Sequence, residues 1–528
     1  MTKEQEIRVT ETQSHAGFFG WPSLIVLLLC VIASHLSLLR VPYFWDETYF
    51  APAARDLFLT GKLVPVSVPV ESHPPLVYLW VAIWWKLFGF SILVARSAML
   101  AVSAITLAAV YRLARLFTSG AVSIVIASLT AIYPVFFVES TLVQLDMAAA
   151  GLTLWGLVAC LQGRRWETSA FFTLAVLAKE TAIIAPCAVL AVDLILALLD
   201  RKQSIGASIR SELRKAIPLL LPFLALVAWF AWLHHVSGTI FGDPFYVRYN
   251  LEGAARPTRI FLAAVQHLWH LLGFLNLFIL TAVTAIIFVA RSRFLAPDAP
   301  RQNTRSWVIF AMLTVGYVVM LSIVGGVTLA RYLLPVYPLI FLACVAAIAS
   351  RVKWWPAIAG LTAAAFVVGL FPYTDRYLFR RDDNLAYLDY VALHQAAIAS
   401  FDNGQKWRVA SAWPASDELS MPWLGYSKTP LDAAEIDSFT RDDLLAAGQK
   451  RPQYILMFPR GACKAENPFQ RAHGPQGNYF RGTQDLSPDE VAGLMNARVI
   501  YRAQSRCDWV AVLKVDDVDT AQPGQAAH

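Results

Sequence analysis

The chain contains a long series of apolar stretches separated by short polar segments. A helix that crosses a bilayer needs about 20 consecutive apolar residues, so this series predicts a polytopic membrane protein that is mainly α-helical. Only 15% of the residues are charged, against roughly 25% in soluble proteins. About eleven spans are predicted, at 18–39, 94–111, 120–138, 147–161, 167–185, 183–199, 216–236, 272–290, 306–325, 332–349 and 354–372.

Clusters of arginine and lysine follow every second predicted span. Cytoplasmic loops are enriched in these residues, so the even-numbered spans are expected to end in the cytoplasm. The N-terminal tail, residues 1–17, is then cytoplasmic, and the chain after the last span lies outside. The apolar run Phe18–Leu39 is too long for the core of a cleaved signal peptide and is predicted to be a retained span. The clusters account for the net charge of +7, so no nucleic-acid partner is expected.

The predicted membrane domain covers residues 18–372, with a first outer loop at 40–93. Within that loop, Pro74–Gly89 is apolar but shorter than a full span, and it contains Trp84 and Lys86 near its end. Tryptophan and lysine are typical of the interface between lipid and water. We therefore predict that this helix lies against the outer surface of the bilayer and does not cross it.

Residues 373–528 have mixed polar and apolar segments and are predicted to form a separate soluble α/β domain. Asn384–Ser400 has a helical pattern, and Ser487 followed by Pro488 is typical of a helix start. Strands are predicted at Trp407–Trp413, Tyr454–Phe458, Val499–Arg502 and Trp509–Val515.

Two of the six cysteines, Cys463 and Cys507, lie in this polar tail. A periplasmic location would allow them to form a disulfide. One pair at this spacing leaves the bonded and the free state equally open.

Acidic residues occur at predicted membrane depth on the outer side, where unpaired charges are costly and often functional. Asp46 and Glu47 follow the first span within the aromatic segment 43–49, YFWDETY. Asp146 opens a later apolar helix, two residues after Gln144. The alternative for these acids is a helix cap, since carboxylates are stabilised at helix N-termini.

Basic residues occur on the same predicted side. Lys179-Glu180 interrupts one long apolar run, Arg331-Tyr332 opens another, and His73 precedes the interfacial helix. Arginine suits a lipid-linked phosphate because its planar fork matches phosphate oxygens. The alternatives are a helix cap for His73, a salt bridge or an interfacial contact for Lys179, and a topological flank for Arg331. A carboxylate base together with cations suits nucleophilic attack with an anionic phosphate as leaving group.

The chain resembles the GT-C glycosyltransferases, which include protein O-mannosyltransferases and the lipid A aminoarabinose transferase. The resemblance covers about residues 18–350. It rests on four short motifs in the same order and on the same side: Asp46-Glu47, His73-Pro74-Pro75-Leu76, Asp146, and Ala330-Arg331-Tyr332-Leu333-Leu334-Pro335. Aminoarabinose transferases have a lysine where this chain has His73, so aminoarabinose transfer to lipid A is the less favoured activity.

The resemblance implies an inverting transfer of a sugar from a polyprenyl-phosphate donor to a hydroxyl of a lipid, glycan or protein acceptor, at the periplasmic face of a bacterial inner membrane. Its implied base is Asp46, supported by Glu47 and Asp146. The implied donor phosphate ligands are Lys179, Arg331 and His73. Gln144, Glu180 and Tyr332 are further candidates. Acid pairs such as Asp46-Glu47 can also bind a divalent cation, so metal dependence is left open.

Three other functions are compatible with a polytopic chain. A transporter of lipid-linked sugars is expected to have charges deep within several spans and internal symmetry, and the sequence has neither. A glycan polymerase or ligase tends to have a large outer loop between spans instead of a folded tail. A membrane-anchored binding protein needs only one or two spans.

Overall fold

A computed structural model describes residues 20–70, 72–199, 216–242, 256–290, 304–324, 328–372, 380–460 and 485–516. Helices account for most of these residues, and a small sheet lies near the C-terminus. The predicted fold class, mainly α with a C-terminal α/β region, is confirmed.

The chain divides into two compact units. The membrane unit comprises residues 1–39 and 50–371, and the C-terminal unit comprises residues 40–49 and 372–528. The sequence alone assigned residues 40–49 to the membrane domain as part of its first loop. The structure groups them with the tail because their aromatic side chains pack on tail residues, as for Phe44 on Tyr387 and Tyr390.

The membrane unit is built from helices, most of which overlap the predicted spans. They are α1 (Trp21–His35), α2 (Glu47–Thr60), which begins in the C-terminal unit, α3 (Leu76–Phe88), α4 (Ile92–Arg115), α5 (Gly120–Ile132), α6 (Pro134–Glu139), α7 (Asp146–Leu161), α8 (Arg165–Ala178), α9 (Ile184–Leu199), α10 (Leu221–Ser237), α11 (Pro257–Leu272), α12 (Phe278–Val289), α13 (Thr304–Ile323), α14 (Tyr337–Ala349) and α15 (Trp355–Leu370). Helices α2, α3 and α11 lie in segments predicted to be outside the spans.

Four helical segments among the described residues are long and apolar enough to cross a membrane: Ile92–Arg115, Glu180–Leu199, Ile217–Ser237 and Thr304–Ile323. A fifth span results if the pair around α11 and α12, bent by 103°, is counted as one. Six shorter apolar helices accompany them, α3 among them. The chain is a multi-pass membrane protein; the number of eleven spans and the interfacial position of α3 stay predictions.

Breaks in these helices position polar side chains. The apolar run 167–199 divides at Lys179, which is extended (φ −155°, ψ 130°) between α8 and the 3-10 turn Glu180–Ile183. A second 3-10 turn, Ala330–Leu333, precedes α14. Such breaks leave backbone groups without helical partners and direct neighbouring side chains out of the helix.

The C-terminal unit contains a five-stranded mixed sheet with the order β2-β1-β3-β5-β4. Strand β1 is parallel to β2 and β3, and β5 is antiparallel to β3 and β4. The elements are α16 (Tyr387–Ala399), β1 (Arg408–Ala412), α17 (Ala415–Ser420), β2 (Asp432–Ile436), α18 (Arg441–Gly448), β3 (Tyr454–Met457), α19 (Pro488–Leu494), β4 (Ala497–Ser505) and β5 (Asp508–Val515).

Four of these strands and α16 match the predicted elements, and Ser487 caps α19 with Glu490 in a reciprocal capping box. Strand β2 was not predicted, because its sequence, DAAEI, is short and contains a single β-branched residue. Cys507 is disulfide-bonded. The candidate partner from the sequence, Cys463, lies outside the described residues.

Candidate functional site

Three charged residues that are far apart in the sequence meet in the membrane unit. Asp146 is the first residue of α7, Lys179 lies at the break after α8, and Arg331 lies in the turn before α14. The Lys179 ammonium is 2.6 Å from Asp146 Oδ1, and Arg331 Nε is 3.6 Å from Asp146 Oδ2. We call these three residues the charge cluster.

The charge cluster is buried, with 6% of Asp146, 7% of Lys179 and 5% of Arg331 exposed. The three side chains carry two positive charges and one negative charge. Tyr332 covers the cations: its ring centre is 4.0 Å from Lys179 Nζ and 5.7 Å from the Arg331 guanidinium carbon. Burying ions costs several kcal/mol each, so a cluster of this kind is poor evidence for stability and better evidence for function.

A second pair involves two further predicted residues. His73 Nδ1 is 2.9 Å from Glu180 Oε2, and His73 is 8% exposed. The preceding carbonyl, that of Ser72, accepts a hydrogen bond from the Trp229 indole at 2.8 Å. His73 thus contacts a carboxylate, and its contact with a phosphate stays a prediction.

Two buried polar residues lie near the start of α7. Gln144 is two residues before it in the sequence, and Arg96 is hydrogen-bonded to the segment that precedes it. Gln144 is 1% exposed, and neither atom of its side-chain amide has a hydrogen-bond partner among the described residues. An amide of this kind can both donate to and accept from a ligand hydroxyl. Arg96, in the apolar helix α4, is fully buried and donates to the Thr141 carbonyl at 3.1 Å. Sequence reasoning missed Arg96, although an arginine within an apolar run is a visible signal.

Asp46 and Glu47 belong to the C-terminal unit, in a tight turn. The Glu47 N–H donates to the Phe44 carbonyl at 3.0 Å, and the Phe44 N–H donates to the Glu47 carboxylate at 2.7 Å. Glu47 is fully buried, whereas Asp46 is half-buried. The Glu47 carboxylate therefore closes the turn, as helix-capping carboxylates do.

In the C-terminal unit, titratable groups that the sequence did not single out have raised pKa values. Burial, together with the charges of Glu435 and Glu418, raises the pKa of Asp417 to about 7. Glu418 is buried between Tyr390, whose hydroxyl donates to it at 3.0 Å, and His394 at 2.6 Å. Burial and the neighbouring Glu418 carboxylate raise the pKa of Tyr390 well above its ordinary value.

A divalent cation was one of the options left by the sequence. Across the described residues, no group of three or more His, Cys, Asp or Glu side chains is arranged to hold a metal ion. The acid pair Asp46-Glu47 supplies two carboxylates, fewer than the three side chains of such a group. The Glu47 carboxylate also accepts the hydrogen bond that closes the turn.

Comparison with known proteins gives two kinds of similarity. Residues 72–235, about a third of the chain, match the family model described as dolichyl-phosphate-mannose-protein mannosyltransferase. No curated protein sequence matches the chain significantly.

The fold is similar to crystal structures of ArnT from Cupriavidus metallidurans. The structure bound to undecaprenyl phosphate superposes with a TM-score of 0.56 at 15% identity, over 94% of this chain and 98% of that chain. The apo structure gives 0.55 at 15% identity, over 93% and 98%. These matches confirm the resemblance to the GT-C glycosyltransferases that was inferred from the sequence.

Proposed function

We propose that the chain is an inverting glycosyltransferase, which moves a sugar from a polyprenyl-phosphate donor to an acceptor hydroxyl at the periplasmic face of a bacterial inner membrane. The family-model match and the fold shared with ArnT support the reaction class. The fold was also seen with undecaprenyl phosphate bound in that protein, which supports a polyprenyl phosphate as the carrier.

The observation that carries the proposal is the charge cluster of Asp146, Lys179 and Arg331. Transfer from a sugar phosphate leaves negative charge on the departing phosphate oxygen. Buried, fixed cations stabilise such developing charge strongly, because they need no reorganisation and little water screens them. Lys179 and Arg331 are assigned to the donor phosphate, and Asp146 holds both cations in place. The Tyr332 ring contacts both cations.

Asp46 is assigned as the general base. It takes the proton from the acceptor hydroxyl as that oxygen attacks the anomeric carbon. The bond from the anomeric carbon to the phosphate oxygen breaks in the same step, and the electron pair leaves with the phosphate. A single displacement of this kind inverts the anomeric centre. Asp46 is half-buried, whereas Glu47 is fully buried.

The remaining candidates have supporting roles in this proposal. Glu47 closes the turn that presents Asp46. Gln144 is assigned to a hydroxyl of the sugar or acceptor, since its buried amide has hydrogen-bonding capacity to offer. Glu180, the residue after Lys179, contacts His73, and His73 is kept as a third phosphate ligand. The acceptor class, whether lipid, glycan or protein, follows from none of these residues.

The proposal is tested by following labelled sugar from the polyprenyl-phosphate pool of membranes into acceptor, with wild type and Asp46→Asn at equal abundance. The asparagine keeps the size of the side chain and removes its basicity. The proposal expects transfer by the wild type and a loss of roughly 100- to 10,000-fold in the variant. Full transfer by Asp46→Asn would remove Asp46 from the mechanism, and no transfer by wild type would overturn the activity.

A further inference from the structure

The turn that contains Asp46 has a strained backbone. Trp45, the residue before Asp46, has φ of +50°, a left-handed conformation that is a genuine outlier for a bulky residue. Such a conformation costs on the order of 1–3 kcal/mol and persists only where surrounding contacts hold it. Because Trp45 precedes the proposed base, the contacts that maintain its conformation also bear on the position of Asp46.

The Trp45 side chain is enclosed by three groups of the C-terminal unit. Its ring contacts Trp413 edge to face at 5.6 Å and Tyr390 edge to face at 5.7 Å. The guanidinium carbon of Arg381 lies 5.2 Å from its ring centre, the distance of a cation–π contact. The same guanidinium is 5.3 Å from the Tyr390 ring.

Arg381 is itself held rigidly. Its Nε and Nη2 donate to Asp508 Oδ1 at 2.9 and 2.6 Å, and Nη2 also donates to the Pro459 carbonyl at 2.9 Å. Asp508 is the first residue of β5, and Pro459 follows β3, so the sheet fixes the guanidinium plane. Arg381 is 9% exposed and Asp508 2%. An arginine tied in this way is a stiff support for an aromatic ring.

The turn is also tied at both ends. Before it, the Tyr43 N–H donates to the Leu424 carbonyl at 3.1 Å, and the Tyr43 carbonyl accepts from the Tyr426 hydroxyl at 2.9 Å. After it, the Tyr49 ring contacts Trp413 at 5.2 Å. The anchors leave the turn little freedom, and Arg381 contacts the one residue in it that is strained.

We infer that the C-terminal unit positions the proposed base: Arg381, fixed by Asp508, holds Trp45 in its left-handed conformation and thereby sets the direction of the Asp46 carboxylate. This inference rests on the proposed role of Asp46. Arg381 is a positioning residue that acts through Trp45. Without the guanidinium, the turn relaxes toward a negative φ at Trp45 and the carboxylate moves, and a displacement of about 1 Å at a reacting group can cost roughly 100-fold in rate.

The test uses the full-length protein in its membrane and compares Arg381→Met with Arg460→Met. Arg460 is a matched control, because it is also buried in the C-terminal unit and paired with an aspartate, Asp485 at 3.2 Å. The inference expects Arg381→Met to lower the turnover of labelled polyprenyl-phosphate sugar by roughly 10- to 100-fold, with the KM for the donor and the binding of undecaprenyl phosphate unchanged. Equal losses in the two variants would assign Arg381 to stability alone and overturn the inference.

A double-mutant cycle with Trp45→Asn separates positioning from folding. Asparagine tolerates the left-handed conformation, so the backbone of this variant needs less support from Arg381. The inference expects Arg381→Met to have much less effect on turnover in the Trp45→Asn background than in the wild type. Independent, multiplying losses would contradict it. Arg381→Lys, which keeps the charge and most of the volume but not the planar fork, replaces Arg381→Met in both comparisons if the methionine variant does not accumulate.

The outcomes also distinguish this inference from the proposed function. If Asp46→Asn is inactive while Arg381→Met behaves like Arg460→Met, the positioning role alone fails. If Asp46→Asn transfers sugar at the wild-type rate, the proposed base fails, and the positioning role fails with it.

Discussion

The charge cluster and the Asp46 turn are held by different forces. Asp146, Lys179 and Arg331 are held by buried ion pairs at breaks between apolar helices. The turn at Asp46 is held by aromatic packing and hydrogen bonds within a small α/β unit. Ion pairs in a buried place respond strongly to the loss of one partner, whereas an aromatic enclosure loses contacts gradually. The two regions should therefore respond differently to substitution, to pH and to ligand.

The largest stability effect is expected at Asp146. Asp146→Ala leaves two buried cations without the carboxylate between them and should lower the free energy of unfolding by roughly 3–5 kcal/mol. Thermal unfolding in detergent measures this, with Asp193→Ala as the control from the half-exposed pair with Arg305. Undecaprenyl phosphate should stabilise Asp146→Ala more than wild type, because its phosphate replaces the missing negative charge. Equal stabilisation would argue against a phosphate site at this cluster.

In the C-terminal unit, pH should have a large effect through Asp417. Its pKa is raised from 3.8 to about 7, so the folded state holds a proton that the unfolded state releases between these values. Stability from this group is complete below about pH 4 and falls by roughly 1.4 kcal/mol per pH unit up to about pH 7. Asp417→Asn should gain stability relative to wild type over this range. Parallel pH profiles of the two proteins would show that Asp417 titrates normally.

A smaller effect, on ligand affinity, is expected at Lys179. A hydrogen bond to a charged group contributes about 1.5–3 kcal/mol, so Lys179→Ala should weaken undecaprenyl phosphate binding roughly 10- to 100-fold. Native mass spectrometry or a thermal shift titration with undecaprenyl phosphate would measure it. Lys86→Ala is the control, since Lys86 is exposed and contacts the Phe58 ring. Matching losses in the two lysine variants would point to a nonspecific charge effect.

The smallest effect is expected at the helix start of α19. Ser487 accepts a hydrogen bond from the Glu490 N–H, and Ser487→Ala should lower stability by about 1 kcal/mol. Chemical denaturation followed by tryptophan fluorescence would detect it. Transfer activity should remain at the wild-type level. A marked loss of activity would mean that the C-terminal unit contributes to the reaction through more than the 43–49 turn.

The sequence predicted the members of the charge cluster but not their arrangement. Asp146, Lys179 and Arg331 stand out because charges are rare within apolar runs, and rarity at membrane depth is a signal in itself. The Asp146 carboxylate contacts both cations because three helix ends meet in the fold. No local sequence pattern predicts that meeting. Arg96 gave the same kind of signal and was overlooked.

In the C-terminal unit, the rarity of charged residues no longer serves as a signal. Charged residues are common in a soluble tail, so nothing in the sequence distinguishes Arg381 or Asp508 from their neighbours. The left-handed conformation of Trp45 was equally hidden, because it is imposed by tertiary contacts against the preference of the residue. The strands were easier to find, since β3 and β5 have clear apolar patterns, whereas the short strand β2, with one β-branched residue, was missed.

The most direct test of the account measures two properties in two variants of the full-length protein: undecaprenyl phosphate binding and transfer of labelled polyprenyl-phosphate sugar, in Asp46→Asn and in Lys179→Ala. The account predicts that Asp46→Asn binds undecaprenyl phosphate as wild type does and transfers sugar roughly 100- to 10,000-fold more slowly, whereas Lys179→Ala binds it weakly. Weak binding by Asp46→Asn together with normal binding by Lys179→Ala would contradict the assignment of base and phosphate ligand.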